Sequence, residues 1–456
     1  MAAKSNYKPW LITLLACVAL ALLPTGAVFT LGVKKYLLVT VAGILCCAFS
    51  LLDNMVIGVL LPLAYWLCGV APASVVHSGW AGTLPWITLG TLLLTVILEE
   101  SGLLRRIALF AIIRSGASYR GVCFALLFSG FLCSLFTSCC VQYVFAPLAY
   151  GVCRTLKLKP GTAAAGVMLA AAMGTISANG VIPYPGFIGV LTAGASTPED
   201  PVTLGWVQAL WSLWPGFLFI TFYLWFMLRF LIKAPQIDAK EEFRAQYARL
   251  GPVSSGEKKC LAVIGLILAL LLTAQWTGLD TALPFIVCPW LFFLPGLRVA
   301  GKDTLKNVNF GMVFLITAFV AVGSVAGYVK PDSIAETYLL PLFEGTNLLT
   351  TVLLTYAFGL LMNFLLTPLG YFSAFSSVLG SLYRSLGYNV LLGLFVFQYT
   401  SDAVVLPYEN MAYLVYFSFA MFGIRDFAKL YALKIPMQIL FICTVMMAWW
   451  RFIGLV

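Results

Sequence analysis

The sequence predicts an all-α polytopic membrane protein, in which two inverted repeats contain re-entrant hairpins and broken helices. Composition is the first reason: 62% of the 456 residues are hydrophobic, 10% are charged, and the mean hydropathy is +0.99. Soluble domains carry roughly 25% charged residues, so a chain this apolar requires a lipid environment. The other reasons are the Gly and Pro that interrupt many apolar runs, and the correspondence between the two halves of the chain.

The apolar runs define the predicted membrane segments. A straight helix needs about 20 apolar residues to cross a bilayer. Several runs are shorter than this or contain Gly and Pro, which is typical of broken or re-entrant segments. The runs lie near residues 10–24, 36–52, 54–70, 82–98, 119–136, 162–176, 204–232, 260–276, 281–295, 309–327, 346–366, 390–406, 411–423 and 435–455.

One polar segment, residues 233–259, divides the chain nearly in half. Its excess of Lys and Arg over Asp and Glu predicts a cytoplasmic location, and we expect the amino terminus on the same side. Basic cytoplasmic loops also explain the net charge of +10, which therefore does not indicate nucleic acid binding. We expect a multi-pass protein of the inner or plasma membrane. Its predicted units are an N-terminal helix at 1–31, a first repeat at 32–233, a linker at 234–259 and a second repeat at 260–456.

Cysteine and histidine usage disfavours a metal centre or an enzyme. The twelve cysteines lie almost entirely in apolar runs and form no C-x-x-C pair, which suits buried small side chains. His77 is the single histidine, and its surroundings have no metal-ligand spacing. The chain contains no G-x-x-x-x-G-K-[ST] motif, which disfavours ATP-driven transport within this chain. We expect no catalytic residue, no metal site and no cofactor other than a coupling ion, Na⁺ or H⁺.

The two halves of the chain repeat one order of features. In the first half "LLLTVILEESGLLRRIALFAI" precedes a helix that ends in "FTSCCVQYVFAPLAYG". In the second half "VAVGSVAGYVKPDSIAETYLLP" precedes a helix that ends in "FLLTPLGYFSAFSSVLG". An interrupted helix follows in each half, "GTISANGVIPYPGFIG" and then "SDAVVLPYENMAYLVY". Paired interruptions in two inverted halves indicate the binding site of a transporter.

Two hairpin tips and two helix breaks therefore form the candidate site. A break frees backbone carbonyls that can ligate a hard cation, and N–H groups that favour an anion. Proline enforces a break because it lacks the donor N–H. The predicted solute-binding residues are Ser138, Cys139, Asn179, Pro183, Thr367, Pro407 and Asn410. The predicted residues for the coupling ion are Thr137, Ser177, Gly180, Leu366, Asp402 and Glu409.

Asp402 and Glu409 carry the strongest signal, because a carboxylate inside a membrane is costly and functional by default. Each could bind the coupling cation, carry a proton or face a cationic group of the solute. The structural alternative places both outside the apolar core or in a pair with a Tyr or Lys. Serine, threonine and proline in membrane helices also have structural roles, as hydrogen bonds to the preceding turn or as kinks.

Five stretches carry a resemblance to a known family: "LLPLAYWLCGVAP", "LEESGLLRRIALFAIIRSG", "LGPVSSGEKK", "LFFLPGL" and "NFGMVFLITAFVAVG". Across almost the whole chain the sequence resembles the divalent anion/sodium symporter family, the dicarboxylate and citrate carriers of the wider ion-transporter superfamily. The resemblance implies an elevator-type carrier and a homodimer. It further implies that each protomer has a scaffold domain and a transport domain of two hairpins and two broken helices.

The site motifs depart from that family. Its hairpin tips read Ser-Asn-Thr, where this chain has Thr137-Ser138-Cys139 and Leu366-Thr367-Pro368. Its broken helices carry Thr-Pro-Pro, where this chain has Ile182-Pro183-Tyr184-Pro185 and Asn410-Met411-Ala412. Because the family's tips contact both sodium and substrate carboxylates, the departures leave the ion and the anion open.

The leading hypothesis is a secondary active transporter of a small anionic solute, carboxylate- or sulfonate-like, coupled to Na⁺ or H⁺. Asp402 and Glu409 favour an alternative, a proton-coupled carrier of a neutral or zwitterionic solute, because an ionised carboxylate repels a dicarboxylate. Cys139 and Cys140 leave a soft ligand such as arsenite open. A channel and a membrane-embedded enzyme are further alternatives, and the single histidine disfavours the enzyme. The expected partners are the solute, membrane lipid and a second copy of the chain.

Overall fold

The computed structural model describes residues 7–26, 29–49, 51–135, 141–182, 187–197, 199–236, 239–329 and 340–456. Helices dominate these residues, and the predicted all-α fold is confirmed. In the first half the helices are α1 (Tyr7–Leu22), α2 (Leu31–Ala48), α3 (Asn54–Leu67), α4 (Ala73–Val76), α5 (Leu84–Glu100), α6 (Leu103–Arg114), α7 (Tyr119–Ser134), α8 (Val141–Thr155), α9 (Thr162–Thr175), α10 (Phe187–Ala195), α11 (Trp206–Leu213) and α12 (Pro215–Phe226).

The second half begins with a short linker helix. The helices here are α13 (Lys240–Ala248), α14 (Ser255–Thr277), α15 (Leu283–Val287), α16 (Lys302–Lys306), α17 (Phe310–Val329), α18 (Leu340–Phe343), α19 (Leu348–Leu365), α20 (Pro368–Ser385), α21 (Val390–Tyr399), α22 (Met411–Phe417), α23 (Ile424–Tyr431), α24 (Lys434–Phe441) and α25 (Met447–Phe452). A π-helical turn follows α12 at Met227–Leu231, and another joins α24 to α25 at Ile442–Met446.

By length and apolar composition, four helical stretches of the described chain can each cross a membrane, and two bent pairs raise this to as many as six. The bent pairs are α5 with α6, at 65°, and α11 with the helix that begins at Pro215, at 42°. The four straight stretches are Thr162–Gly180, Phe310–Val329, Leu348–Leu365 and Ile424–Phe452. The predicted combination of whole and broken membrane segments is therefore confirmed.

A helical hairpin followed by a broken helix occurs once in each half. In the first half α7 and α8 flank residues 136–140, which lie outside the described residues, and α9 follows. In the second half α19 turns into α20 at Leu366 and Thr367, and α21 follows. Pro368 starts α20 at its first position, where a missing N–H costs no helical hydrogen bond.

Small residues allow α9 to lie in close contact with α7. The sequence of α9 is "TAAAGVMLAAAMGT", and nearly all of it is buried. A Cβ built on Gly174 would lie 2.5 Å from the backbone oxygen of Leu127, so only glycine fits this contact. Such contacts drive helix association in membranes because lipid removes the hydrophobic difference between protein and surroundings.

Each of the two hairpins contributes to a different hydrophobic core. The first core contains residues of α7, α8 and α9 together with α22 and α23. The second core contains residues of α10, α20 and α21 together with α24. Both broken helices therefore begin in the core of their own hairpin and end in the core of the other. The two breaks lie where the chain passes between the cores.

The linker is held by a buried arginine of α6. Arg106 Nε donates to Glu257 Oε1 at 2.6 Å, and its other nitrogens donate to the backbone oxygens of Leu250, Gly251 and Pro252 at 3.0–3.3 Å. Glu257 also accepts from the backbone N–H of Ser254 and so completes a capping box at the start of α14. Two of the stretches that carry the family resemblance, "LEESGLLRRIALFAIIRSG" and "LGPVSSGEKK", thus contact each other.

Candidate functional site

The first helix break follows directly from its sequence. Helix α9 ends at Thr175, a 3₁₀ turn spans Ser177–Gly180, and α10 begins at Phe187. Asn and Gly are poor helix formers, and they stand at the last two positions of this turn. Pro183 lies outside the described residues. The break leaves the carbonyl of Asn179 free of the helix, and Gln398 Nε2 donates to it at 3.0 Å.

The second break contains two short turns. Helix α21 ends at Tyr399, 3₁₀ turns span Thr400–Asp402 and Pro407–Glu409, and α22 begins at Met411. Pro407 opens the second of these turns, as expected for a residue without a backbone donor. The two breaks thus lie side by side, since the 3₁₀ turns at Ser177–Gly180 and Thr400–Asp402 contact each other.

A buried carboxylate joins the two breaks. Asp402 is 5% exposed, and Ser177 Oγ donates to its Oδ1 at 2.8 Å. Tyr413 Oη donates to the same oxygen at 2.8 Å. The predicted ion-coupling residues Ser177 and Asp402, one from each half, are therefore in direct contact. Their role in ion coupling stays a prediction.

The partner of Asp402 is a lysine that the sequence analysis missed. Lys434 is 0% exposed and lies at the start of α24. At this point the last membrane stretch, Ile424–Phe452, passes from the first core to the second. Its Nζ donates to Asp402 Oδ2, donates to Ser177 Oγ at 3.0 Å, and lies 4.9 Å from the ring centroid of Tyr431. The apolar run assigned to residues 435–455 excluded this lysine by one position. We call Ser177, Asp402, Tyr413 and Lys434 the charged cluster.

Tyrosines and a glutamine surround the charged cluster. The ring of Tyr431 packs edge-on against Tyr413, with centroids 5.4 Å apart. Tyr223 Oη donates to the backbone oxygen of Leu430 at 2.5 Å. One turn after Lys434, Gln438 accepts from Tyr356 Oη at 2.8 Å. The cluster is thus enclosed, and its two opposite charges make it neutral overall.

Glu409 is engaged by its own backbone. Its carboxylate accepts from the N–H of Leu406 at 2.8 Å and of Val405 at 3.2 Å, and the residue is 3% exposed. Asn410 acts in the same local way, because its Oδ1 caps the N–H of Ala412 at 3.1 Å. Both side chains therefore shape the second break. Their predicted roles in ion and solute binding stay predictions.

The described hairpin tip approaches the second break through its helical arm. Asn363, one turn before the tip, donates from Nδ2 to the backbone oxygen of Ala403 at 3.4 Å. Leu366 ends α19, and Thr367, 7% exposed, lies beside Cys47 of α2. Among the described contacts, none joins Leu366 or Thr367 directly to the charged cluster. Thr137, Ser138 and Cys139 of the other tip lie outside the described residues.

Two buried amide oxygens and a glycine without close neighbours lie at or beside the breaks, as far as the described residues extend. Asn363 Oδ1 and Gln398 Oε1 are buried, and neither has a hydrogen-bond partner within the described structure. Gly180 is buried, yet a Cβ built on it would meet no described atom within 4 Å. Buried side-chain acceptors are normally hydrogen-bonded, so these two oxygens are available to accept from a polar group. The space next to Gly180 and the two amide oxygens are thus candidate positions for a solute.

Comparison with known proteins agrees with this architecture. The family model described as "Sodium:sulfate symporter transmembrane region" matches residues 4–456. The crystal structure of the Alcanivorax borkumensis YdaH transporter, described as having an unusual topology, superposes with a TM-score of 0.58 at 17% identity. That match covers 83% of this chain and 88% of the transporter, and at this identity it shows the fold alone.

A curated protein of Cupriavidus necator, described as "Membrane protein", is 26% identical over 242 residues. The matched region spans 50% of this chain and 46% of that protein, so less than half of the relative is covered.

Proposed function

The chain belongs to the sodium:sulfate symporter transmembrane region family, and we propose that it moves a small anionic solute across the membrane by secondary active transport, coupled to Na⁺ or H⁺. The family consists of transporters, so the protein is not an enzyme. A carboxylate- or sulfonate-like solute fits the proposal best, because the family is named for sulfate, which is an oxyanion.

The observation that carries this proposal is the meeting of the two helix breaks between the two cores. A binding site at the crossing of two broken helices is typical of carriers that alternate access around a fixed site. Asn363 and Gln398 donate to backbone oxygens of the two breaks, and the amide oxygen of each is buried without a hydrogen-bond partner among the described residues. These features support a solute site next to the charged cluster.

Charge at this place is compatible with an anion. From the sequence alone, Asp402 and Glu409 were the reason to keep a neutral or zwitterionic solute as the alternative, because ionised carboxylates would repel a dicarboxylate. Lys434 balances the charge of Asp402, and two backbone N–H groups donate to the carboxylate of Glu409. This local balance supports the anionic solute as the first candidate.

Uptake into proteoliposomes tests the proposal. Purified protein is screened against di- and tricarboxylates, sulfate and sulfonates, with inward gradients of Na⁺ and of H⁺ imposed separately. We expect concentrative uptake of one of these anions that collapses when its driving gradient is removed. Empty liposomes provide the control. Uptake that only equilibrates the solute, at a rate that does not saturate, would indicate a channel and contradict the proposal.

The second candidate is a proton-coupled carrier of a neutral or zwitterionic solute. The burial of Asp402 and Glu409 at one break favours it, since buried carboxylates are typical of proton-coupled carriers. The same vesicles distinguish the candidates, because this one predicts amino acid or neutral solute uptake driven by a pH gradient and insensitive to Na⁺.

The assembly follows from the family resemblance. We propose a homodimer in which scaffold helices form the interface and each protomer carries its own site, in a multi-pass protein whose N-terminus is cytoplasmic. Native mass spectrometry in mild detergent and in nanodiscs checks the stoichiometry. A monomer in both environments would contradict the dimer, and with it the elevator model for this chain.

A further inference from the structure

We propose that Lys434 is a resident cation which takes the place of a bound coupling ion between the two breaks, so that no Na⁺ binds at Asp402. The inference rests on the proposed function, because it assumes that the two breaks take part in ion coupling. It concerns one position in the molecule and leaves other ion positions, including the tip at 136–140, untouched.

The oxygen atoms around Lys434 Nζ are those expected for a hard cation. They are a carboxylate oxygen of Asp402 and the hydroxyl oxygen of Ser177, from different halves of the chain. Carboxylate, hydroxyl and carbonyl oxygens are the ligands of hard cations, and unwound helix breaks supply them in carriers. The description of the matching family names sodium symport, and in this chain a lysine nitrogen lies among such oxygens.

Burial and charge leave no room for a second cation. Lys434 is fully enclosed, and its nitrogen contacts both Asp402 and Ser177. The other titratable side chains that surround the pair are tyrosines of α12, α19, α22 and α23, which are neutral near pH 7. These are Tyr223, Tyr356, Tyr413 and Tyr431. A Na⁺ ion at Asp402 would therefore add uncompensated charge to a neutral pair.

Lys434 is covalently part of the chain, and this changes what the Asp402 position contributes to transport. A bound ion is released on the other side of the membrane, whereas Lys434 stays in α24. The Asp402 position thus adds no Na⁺ to the transport stoichiometry. Removing the lysine ammonium should expose a vacant oxygen-lined position that a free Na⁺ ion can fill.

Thermal unfolding of the purified full-length chain without solute tests this inference. Tm is measured in NaCl and in choline chloride at equal ionic strength, and the difference is the Na⁺ shift. Four proteins are compared: the wild type, Lys434→Ala, Asp402→Asn, and the double variant. Lys429→Ala, an exposed lysine in the preceding helix α23, is the matched control. A ligand that binds only the folded state raises Tm with its concentration.

We expect Lys434→Ala to show a larger Na⁺ shift than the wild type, and the double variant to lose that gain. Asp402→Asn and Lys429→Ala should keep the wild-type Na⁺ shift. A folded Lys434→Ala without any gain would overturn the inference, as would a smaller Na⁺ shift in Asp402→Asn. If Lys434→Ala does not fold, the Asp402→Asn comparison decides alone. Because no solute is present, failure of the uptake screen would overturn the proposed function without affecting this result.

Discussion

Ser177 Oγ lies 2.8 Å from Asp402 Oδ1, although 225 positions separate these residues in the chain. The bond connects the two helix breaks, one from each half, and Lys434 donates to both of its members. Any movement that separates the breaks must therefore disrupt the buried hydrogen bonds that join Ser177 to the Asp402–Lys434 pair. This relationship leads to the first of four predictions.

Removing one member of the Asp402–Lys434 pair should destabilise the protein more than removing both. Asp402→Asn and Lys434→Met each leave a buried charge without a partner, which costs about 3–5 kcal/mol. The double variant buries no charge, so its loss should be smaller than either single loss, which corresponds to a coupling energy of at least about 3 kcal/mol. Unfolding in a mild detergent measures all three. Strictly additive losses would show that the two side chains do not act as a pair.

Gly180→Ala should impair uptake and leave stability nearly unchanged. Gly180 has no positive φ, and the added methyl would meet no described atom within 4 Å at the first break. The expected change in the free energy of unfolding is within about 0.5 kcal/mol, as for positions without a structural contact. Gly151→Ala, in α8 and also without neighbours within 4 Å, is the matched control. Equal uptake by the two variants would remove this space from the solute site.

Arg106→Lys should loosen the linker. Lysine cannot reproduce the planar fork by which Arg106 contacts Glu257 and three backbone oxygens. We expect faster proteolysis within residues 239–254 and a lower Tm, because a buried ion pair loses its geometry. Arg105→Lys is the control, since Arg105 is the exposed neighbour on the same helix. Identical digestion of both variants would contradict an anchoring role for Arg106.

The face that carries the linker should be cytoplasmic. Four exposed basic residues, Arg120, Arg229, Lys233 and Lys429, surround one cavity of about 670 Å³, and the linker follows directly from Lys233. Clustered Lys and Arg beside membrane segments favour the cytoplasmic side. Cysteine labelling at Glu242→Cys checks this orientation, with the wild-type chain as background for its native cysteines. Glu242 is exposed, whereas Ser254 caps α14 and should be left intact. Labelling from outside intact cells would reverse the orientation.

The family, the all-helical fold and the positions of both breaks were predictable from the sequence, because they depend on local signals. Apolar run length indicates which segments enter the membrane, and Asn, Gly and Pro interrupt helices wherever they cluster. The residues around Asn179 and Pro407 therefore predict the two breaks without any knowledge of the contacts between the breaks. Motifs such as "LGPVSSGEKK" are also short continuous stretches, so the family resemblance can be recognised without the fold.

Only the tertiary structure decided which polar residues meet. Lys434 is a single charge at the edge of an apolar run, and nothing local distinguishes it from a lysine at a membrane surface. Its role is determined by the passage of three distant chain segments between two cores, which brings Ser177, Asp402 and Lys434 together. Glu409 shows the reverse, since a carboxylate that looks functional in sequence finds its partners in its own backbone. The energy of a buried charge depends on its neighbours in space, and those neighbours exist only once the chain has folded.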